Sequence, residues 1–329
     1  MSAPSGAASY HGLGQAPALT ARRPRAEPSA TERRRLKRAA RVRRELTAWG
    51  FIGPQYAFFL VFLVLPVLGV LYWSLQHGGI IGGSDFVGLA NYLDLPDQVD
   101  ATTAISNTFI FAVLSIPPTL VLALGAGLLL ARIRRGASTY RFLLYFPALV
   151  PGVVAGLIWV FLTSVDFGLF NTVLRMLGLP TQTWLGAGLA LPILALLDVW
   201  RNLGYWAIFF LAAVVGLPGE LYQAATLDGA NSWQRFRHLT IPLLKRVILF
   251  AVVVATIYGL QIFDTAYILT RGGPGTATTT VVFQVQAYVF GASTDTVGLA
   301  AAISVVLFVA ILALTGIQVA LLRGGRVGR

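Results

Sequence analysis

Apolar and polar positions run in long blocks along this 329-residue chain. Six stretches, near 51–76, 104–131, 142–163, 187–216, 244–268 and 297–322, are almost wholly apolar. At 1.5 Å of rise per residue, each is long enough as a helix to cross a hydrocarbon layer of about 30 Å. The pattern predicts an all-α integral membrane protein with a six-helix transmembrane domain over residues 46–329. Residues 1–20 are rich in Ala, Gly, Ser and Pro and are expected to be disordered; with the basic run 22–44, which can be partly helical against anionic lipid, they make 1–45 a disordered, basic cytoplasmic tail. The apolar run from Tyr56 to Leu75 is too long for the core of a secretory signal, and no small-residue cleavage site follows it. Pro117-Pro118 in the second stretch and Pro147 and Pro151 in the third predict kinks or breaks.

Composition agrees with a membrane class. Hydrophobic residues make up 56% and charged residues 12%, against about 25% charge in an ordinary soluble domain. The mean hydropathy is +0.73. There are no cysteines, which excludes disulfides, thiolate chemistry and Cys-based metal sites. The formal charge of +12 invites a nucleic-acid reading, but its distribution argues otherwise. Residues 22–44 hold 11 Lys and Arg directly before the first apolar stretch, as a topology-setting tail beside anionic lipid would. Together with those around Arg132–Arg141, Arg235–Arg246 and the C-terminus, 22 of the 25 basic residues fall on one face of a six-span arrangement. By the positive-inside rule that face is cytoplasmic and holds both termini. The opposite loop 77–103 carries Asp85, Asp94, Asp97 and Asp100 and no Lys or Arg.

One polar interruption has internal order. Pro218–Pro242 reads PGELYQAATLDGANSWQRFRHLTIP. Leu217-Pro218-Gly219 ends the preceding apolar helix, and Glu220 opens a new one with a negative charge at its positive end. Leu221, Ala224, Ala225 and Leu227 or Asp228 follow at helical spacing and make one small apolar face. Gly229 permits a bend, Trp233 to Arg237 form a second helical piece, and Pro242 suits the first turn of the next apolar helix. Such a segment, tied at both ends to spans, is placed to dock into another protein and carry its motion.

This segment resembles the cytoplasmic coupling loop of permease subunits of bacterial ABC importers, the "EAA…G…I.LP" motif. Gln223-Ala224-Ala225, Gly229 and Ile241-Pro242 carry the match. Glu220-Leu221-Tyr222, Leu227-Asp228-Gly229-Ala230 and Trp233 extend it to the sugar-type branch. Gln223 stands where the family usually has Glu. Elsewhere Phe86–Tyr92 resembles the family's "FVGL.NY", Asn107-Thr108 its "NT", and Leu269–Pro274 its "LT.GGP". The resemblance implies a type I importer-like fold in a bacterial inner membrane. It implies as partners a second permease in a heterodimer, two ATP-binding subunits and an extracytoplasmic solute-binding protein, with a carbohydrate or glycerophosphate-like solute. No cofactor is expected on this chain, since ATP-Mg would sit on the ATPases. Glu220, Gln223, Ala224, Ala225, Asp228, Gly229, Ala230 and Pro242 are the implied coupling residues. The alternative is an ion-gradient-driven carrier or channel, which would need no such loop.

Within the spans, ionisable side chains are costly and mark candidate function. Asp198, Arg201 and Asp264 stand out. Asp198 and Arg201 are i, i+3 neighbours able to pair on one helix. Counted along a continuous fifth span, Asp264 lies about 33 Å from Pro242, in the outer half. The three could line a solute path or join helices to each other. Trp200, Tyr205, Tyr258 and Phe263 lie at the same level and could stack on a sugar ring or form an interfacial belt. Gly152 and Gly156 form a GxxxG pair suited to close helix packing. The chain shows no metal-ligand spacing or nucleophile motif. Gly272–Gly275 lacks the lysine of a phosphate-binding loop.

Overall fold

The computed structural model describes residues 30–79, 83–291 and 296–323. It divides into two units, residues 1–64 and 65–329. In the first, helix α1 (Ala30–Phe59) runs into a π-helical turn, Leu60–Val64. Of the tail expected to be disordered, residues 1–29 lie outside the described residues, while 30–45 belong to α1. The helix crosses the expected 45/46 boundary without interruption.

The second unit starts with α2 (Leu65–Trp73) and a two-stranded antiparallel hairpin, β1 (Gln76–Gly78) with β2 (Ser84–Phe86), His77 opposite Asp85. After α3 (Ala90–Asp94) comes α4 (Val99–Arg132), a 34-residue helix that continues through Pro117 and Pro118. Next are α5 (Ala137–Leu149), α6 (Gly152–Leu162) and α7 (Leu169–Met176). Then come α8 (Ala190–Val215), α9 (Gly219–Leu227), α10 (Ser232–Arg235) and α11 (Ile241–Leu260). The chain closes with α12 (Asp264–Thr270), α13 (Val281–Phe290) and α14 (Val297–Arg323). Among the described residues five helices are long and apolar enough to cross a membrane, or up to six if α5 and α6 count as one broken span.

Two expected spans are not single helices. The third begins earlier, at Ala137, and breaks at Val150-Pro151, where α5 and α6 meet at 95°. Pro151 has no N–H to offer, and the residue before a proline is pushed out of the helical region; Val150 takes φ −75°, ψ 124°. Pro147, one turn earlier, stays inside α5. The fifth stops at Leu260, and residues 261–263 are not helical. A break in an apolar setting must still satisfy its backbone. The Thr280 hydroxyl donates to the Ile262 carbonyl at 3.0 Å, and the Tyr267 amide donates to the Phe263 carbonyl at 2.8 Å. Residues 269–296, between the fifth and sixth apolar stretches, also contain a helix, α13.

Small residues let the helices approach. α4 packs along α8, with Gly127 against the backbone of Ala207 and Leu211. Gly204 of α8 lies on the backbone of Leu144 and Tyr145 in α5. Two cores result. One joins Phe111, Trp159, Leu194, Leu197, Ile262 and Leu269; the other joins Leu120, Ala123, Trp206, Phe210, Ala251 and Ala255. A knot of hydrogen bonds closes the α6–α8 connection. The fully buried Asn171 donates to the carbonyls of Val165 and Gln182 and accepts from the Gln182 amide and Trp184 Nε1.

Candidate functional site

A cavity of about 460 Å³ opens between the two cores, bounded by Trp206 and Ala255 from one and Ile262 from the other. α8 supplies Asp198, Arg201, Asn202, Tyr205 and Trp206 to its wall. Their spacing of i, i+3, i+4, i+7, i+8 is one face of a helix, so the periodicity of the segment presents them together. α11 contributes Ala255, Tyr258 and Gly259; the break after it adds Gln261, and α12 adds Asp264 and Thr265. By helical rise, Arg201 lies about 21 Å from the Val215 end of α8, and Tyr258 about 26 Å from the Ile241 end of α11.

Five of the seven residues expected on a path share this cavity: Asp198, Arg201, Tyr205, Tyr258 and Asp264. Trp200 and Phe263 do not line it. Trp200 falls off the 198–201–205 face and its ring meets Trp159 at 6.0 Å. Phe263 packs with Tyr267 and Phe283. Pairing differs from the i, i+3 expectation as well. Arg201 Nη1 lies 3.6 Å from Asp264 Oδ2, across two elements, while Asp198 Oδ1 accepts from Asn202 Nδ2 at 2.8 Å. Asp264 does not belong to a continuous fifth span but is the first residue of α12, an acid in a helix's first turn. Gly152, at the start of α6, sits under this pair: a Cβ there would collide with the Asp264 carboxylate and lie 2.7 Å from Arg201 Nη1. Gly156 likewise faces Ile268 of α12. Asn202, Gln261, Thr119 and Thr265 complete the polar lining. Asn202 and Gln261 carried the same signal as the charges, a polar side chain in an apolar run, and were legible by it.

A second groove adjoins the first through Tyr205, which lines both. Its other walls are Ser138, Arg141, Phe142 and Tyr145 of α5 with Ile208 and Phe209 of α8.

The other ends of α8 and α11 are joined by the polar segment. Pro218 N-caps α9, and Glu220 stands in its first turn. Gly229 ends it at φ +80°, with the Ala230 amide on the Ala225 carbonyl (2.9 Å) and the Gly229 amide on the Thr226 carbonyl (3.1 Å). That pair of bonds is a left-handed helix cap, which favours glycine for its conformation; no atom crowds the position. Asn231 and Gln234 then form a capping box over α10, which passes through a π-helical turn, Phe236–Thr240, into α11 with Pro242 in its first turn. Two bonds fold α9 back on this piece: Tyr222 with the Thr240 hydroxyl at 3.0 Å, and Arg235 to the Thr226 hydroxyl at 2.7 Å. The outer side of α9 is bare. Leu221, Gln223, Ala224 and Asp228 are exposed, and Leu227 is 89% accessible. Ala225 and Ala230 are half-buried.

The sequence model of the "Binding-protein-dependent transport system inner membrane component" family matches residues 123–326, which cover the α9 segment and most of the cavity wall. The chain belongs to this family. It is a multi-pass inner membrane protein, a permease subunit of an ATP-driven ABC importer and not an enzyme in itself, which decides against the self-sufficient carrier. Among similar proteins is the trehalose/maltose transport system permease protein MalF of Thermococcus litoralis, 34% identical over 266 residues, 80% of this chain and 89% of that one. The sn-glycerol-3-phosphate transport system permease protein UgpA of Rhizobium meliloti is 34% identical over 81% of this chain and 91% of its own. A bacterial ABC transporter for import of the acidic polysaccharide alginate shares the fold, with a TM-score of 0.75 at 21% identity over 88% of this chain and 99% of that one. A second structure of a bacterial alginate ABC transporter, in complex with an alginate pentasaccharide-bound periplasmic protein, gives a TM-score of 0.73 at 22% identity, covering 85% and 94%.

Proposed function

We propose that this permease carries a sugar, polyol or glycerophosphate-like solute inward through the Asp198–Asp264 cavity. In this reading six spans cross the membrane, α5 and α6 making one of them, and both termini and the α9 segment face the cytoplasm. The membrane domain is residues 46–329. A second permease completes the path as a heterodimer. A solute-binding protein delivers to the outer face, and two ATPases carrying ATP-Mg dock on α9.

The observation that carries the reading is the α9 segment. It is a capped helix with a bare outer side, held back by two side-chain bonds and continuous through α10 with the helix that lines the cavity. Force applied to Ala224, Ala225, Gly229 and Ala230, whose small side chains allow close approach, passes along α11 toward Tyr258. Glu220 favours the N-terminus of α9 by its charge, Asp228 stands exposed at the other end, Gln223 adds an uncharged contact, and Pro242 stiffens the entry to α11. Solute then meets Asp198, Arg201, Tyr205, Tyr258 and Asp264 as the spans rock between outward and inward openings.

The test is uptake by proteoliposomes holding the full assembly, with and without its ATPases, and with Gly229→Asp. Uptake is expected to require ATP hydrolysis and to disappear in the variant while membrane insertion persists. Undiminished ATP-driven uptake by Gly229→Asp would remove the segment from the mechanism.

A further inference from the structure

The cavity wall holds more carboxyl than cation. Asp198 and Asp264 line it against one guanidinium, Arg201, and that guanidinium is already matched with Asp264 at 3.6 Å. Whichever proton Asp198 holds, the described lining residues leave no surplus positive charge. Arg141 lines the adjoining groove instead. The other polar groups are neutral and two-sided: the amides of Asn202 and Gln261 each donate and accept.

An anion entering such a wall would shed water with no unmatched cation to replace it, and would face carboxylates. A neutral polyhydroxylated molecule meets the opposite situation. Its hydroxyls find carboxyl and amide partners, and its C–H faces find the rings of Tyr205 and Tyr258. We infer that this wall admits uncharged polyhydroxylated solutes and rejects anionic ones, phosphate esters and uronates included. The inference rests on the cavity being the solute path and narrows the class of solute it serves.

Two measurements test it. The solute that copurifies with the binding protein is released by heat and its charge read by mass spectrometry and electrophoresis; a neutral saccharide or polyol is expected. sn-Glycerol 3-phosphate is then titrated calorimetrically onto the purified permease–ATPase assembly without binding protein. The wild type is expected to show no saturable binding. Asp264→Asn, which releases Arg201 from its partner, should bind the phosphate roughly tenfold or more tightly, a salt-sensitive gain of the size a charge-assisted hydrogen bond supplies. Should that variant not assemble, Asp198→Asn removes one carboxyl while leaving the ion pair intact and should gain in the same direction. An anionic solute on the binding protein, saturable phosphate binding by the wild type, or no gain in an assembled variant overturns the inference. Uptake of the released solute without ATP would instead overturn the transport reading beneath it, so the two failures are distinguishable.

Discussion

At the scale of single residues, the site depends on what is missing at position 152. The Asp264 carboxylate occupies the space where any other residue would place its Cβ, and Arg201 reaches the same spot. Gly152→Ala is therefore expected to destabilise the fold by about 1–3 kcal/mol, the usual cost of overpacking. The check is thermal unfolding in detergent, with a second substitution as control. Because the collision is with one carboxylate, Gly152→Ala combined with Asp264→Ala should recover most of the loss, whereas independent sites would add. Additive losses would show that the crowding lies elsewhere. The GxxxG spacing was legible as a packing motif. That its first glycine seats an ion pair was not, because the partners come from α8 and α12.

At the scale of elements, the break between α11 and α12 decides which residues meet. The apolar run from 244 to 268 reads as one helix, since no proline interrupts it. The interruption at 261–263 is held by tertiary partners, chiefly the Thr280 hydroxyl on the Ile262 carbonyl. Thr280→Val should leave that carbonyl buried without its donor, at about 1–3 kcal/mol. Amide exchange across 259–266 is expected to quicken, while exchange in α8 is unchanged. Equal protection in the variant would mean the break needs no such support. The break at Pro151 is different: the proline announces it, and only its 95° angle required the fold. The α9 segment was the most legible element of all. Its caps are local, made by Pro218, Gly229, Asn231 and Gln234 within a few residues of the helices they close.

At the scale of the whole molecule, topology and coupling meet. In the proposed six-span reading, the charge pattern puts the α9 segment and the acidic loop 77–103 on opposite sides of the membrane. The absence of native cysteine makes this directly measurable. Leu227→Cys should react with an impermeant maleimide only from the cytoplasmic side, and Asp94→Cys only from the outer side. Labelling of both from one side would invalidate the six-span topology and the proposed docking of ATPases on α9. Docked ATPase should also protect Leu227→Cys, since that side chain stands almost wholly bare.

The sequence by itself determined the features that arise within one helix or one turn: the apolar lengths, the distribution of arginine and lysine between them, the capped helix that follows Pro218, and the i, i+3 spacing of Asp198 and Arg201. Each follows from hydropathy, helical period or a local hydrogen bond, all of which act between near neighbours. Only the tertiary structure decided that Arg201 turns to Asp264 rather than to Asp198, that Trp200 and Phe263 leave the cavity, and that the fifth apolar run is two helices. Those outcomes depend on which distant surfaces come into contact, and the free energy of such contacts is not written in any single stretch of chain.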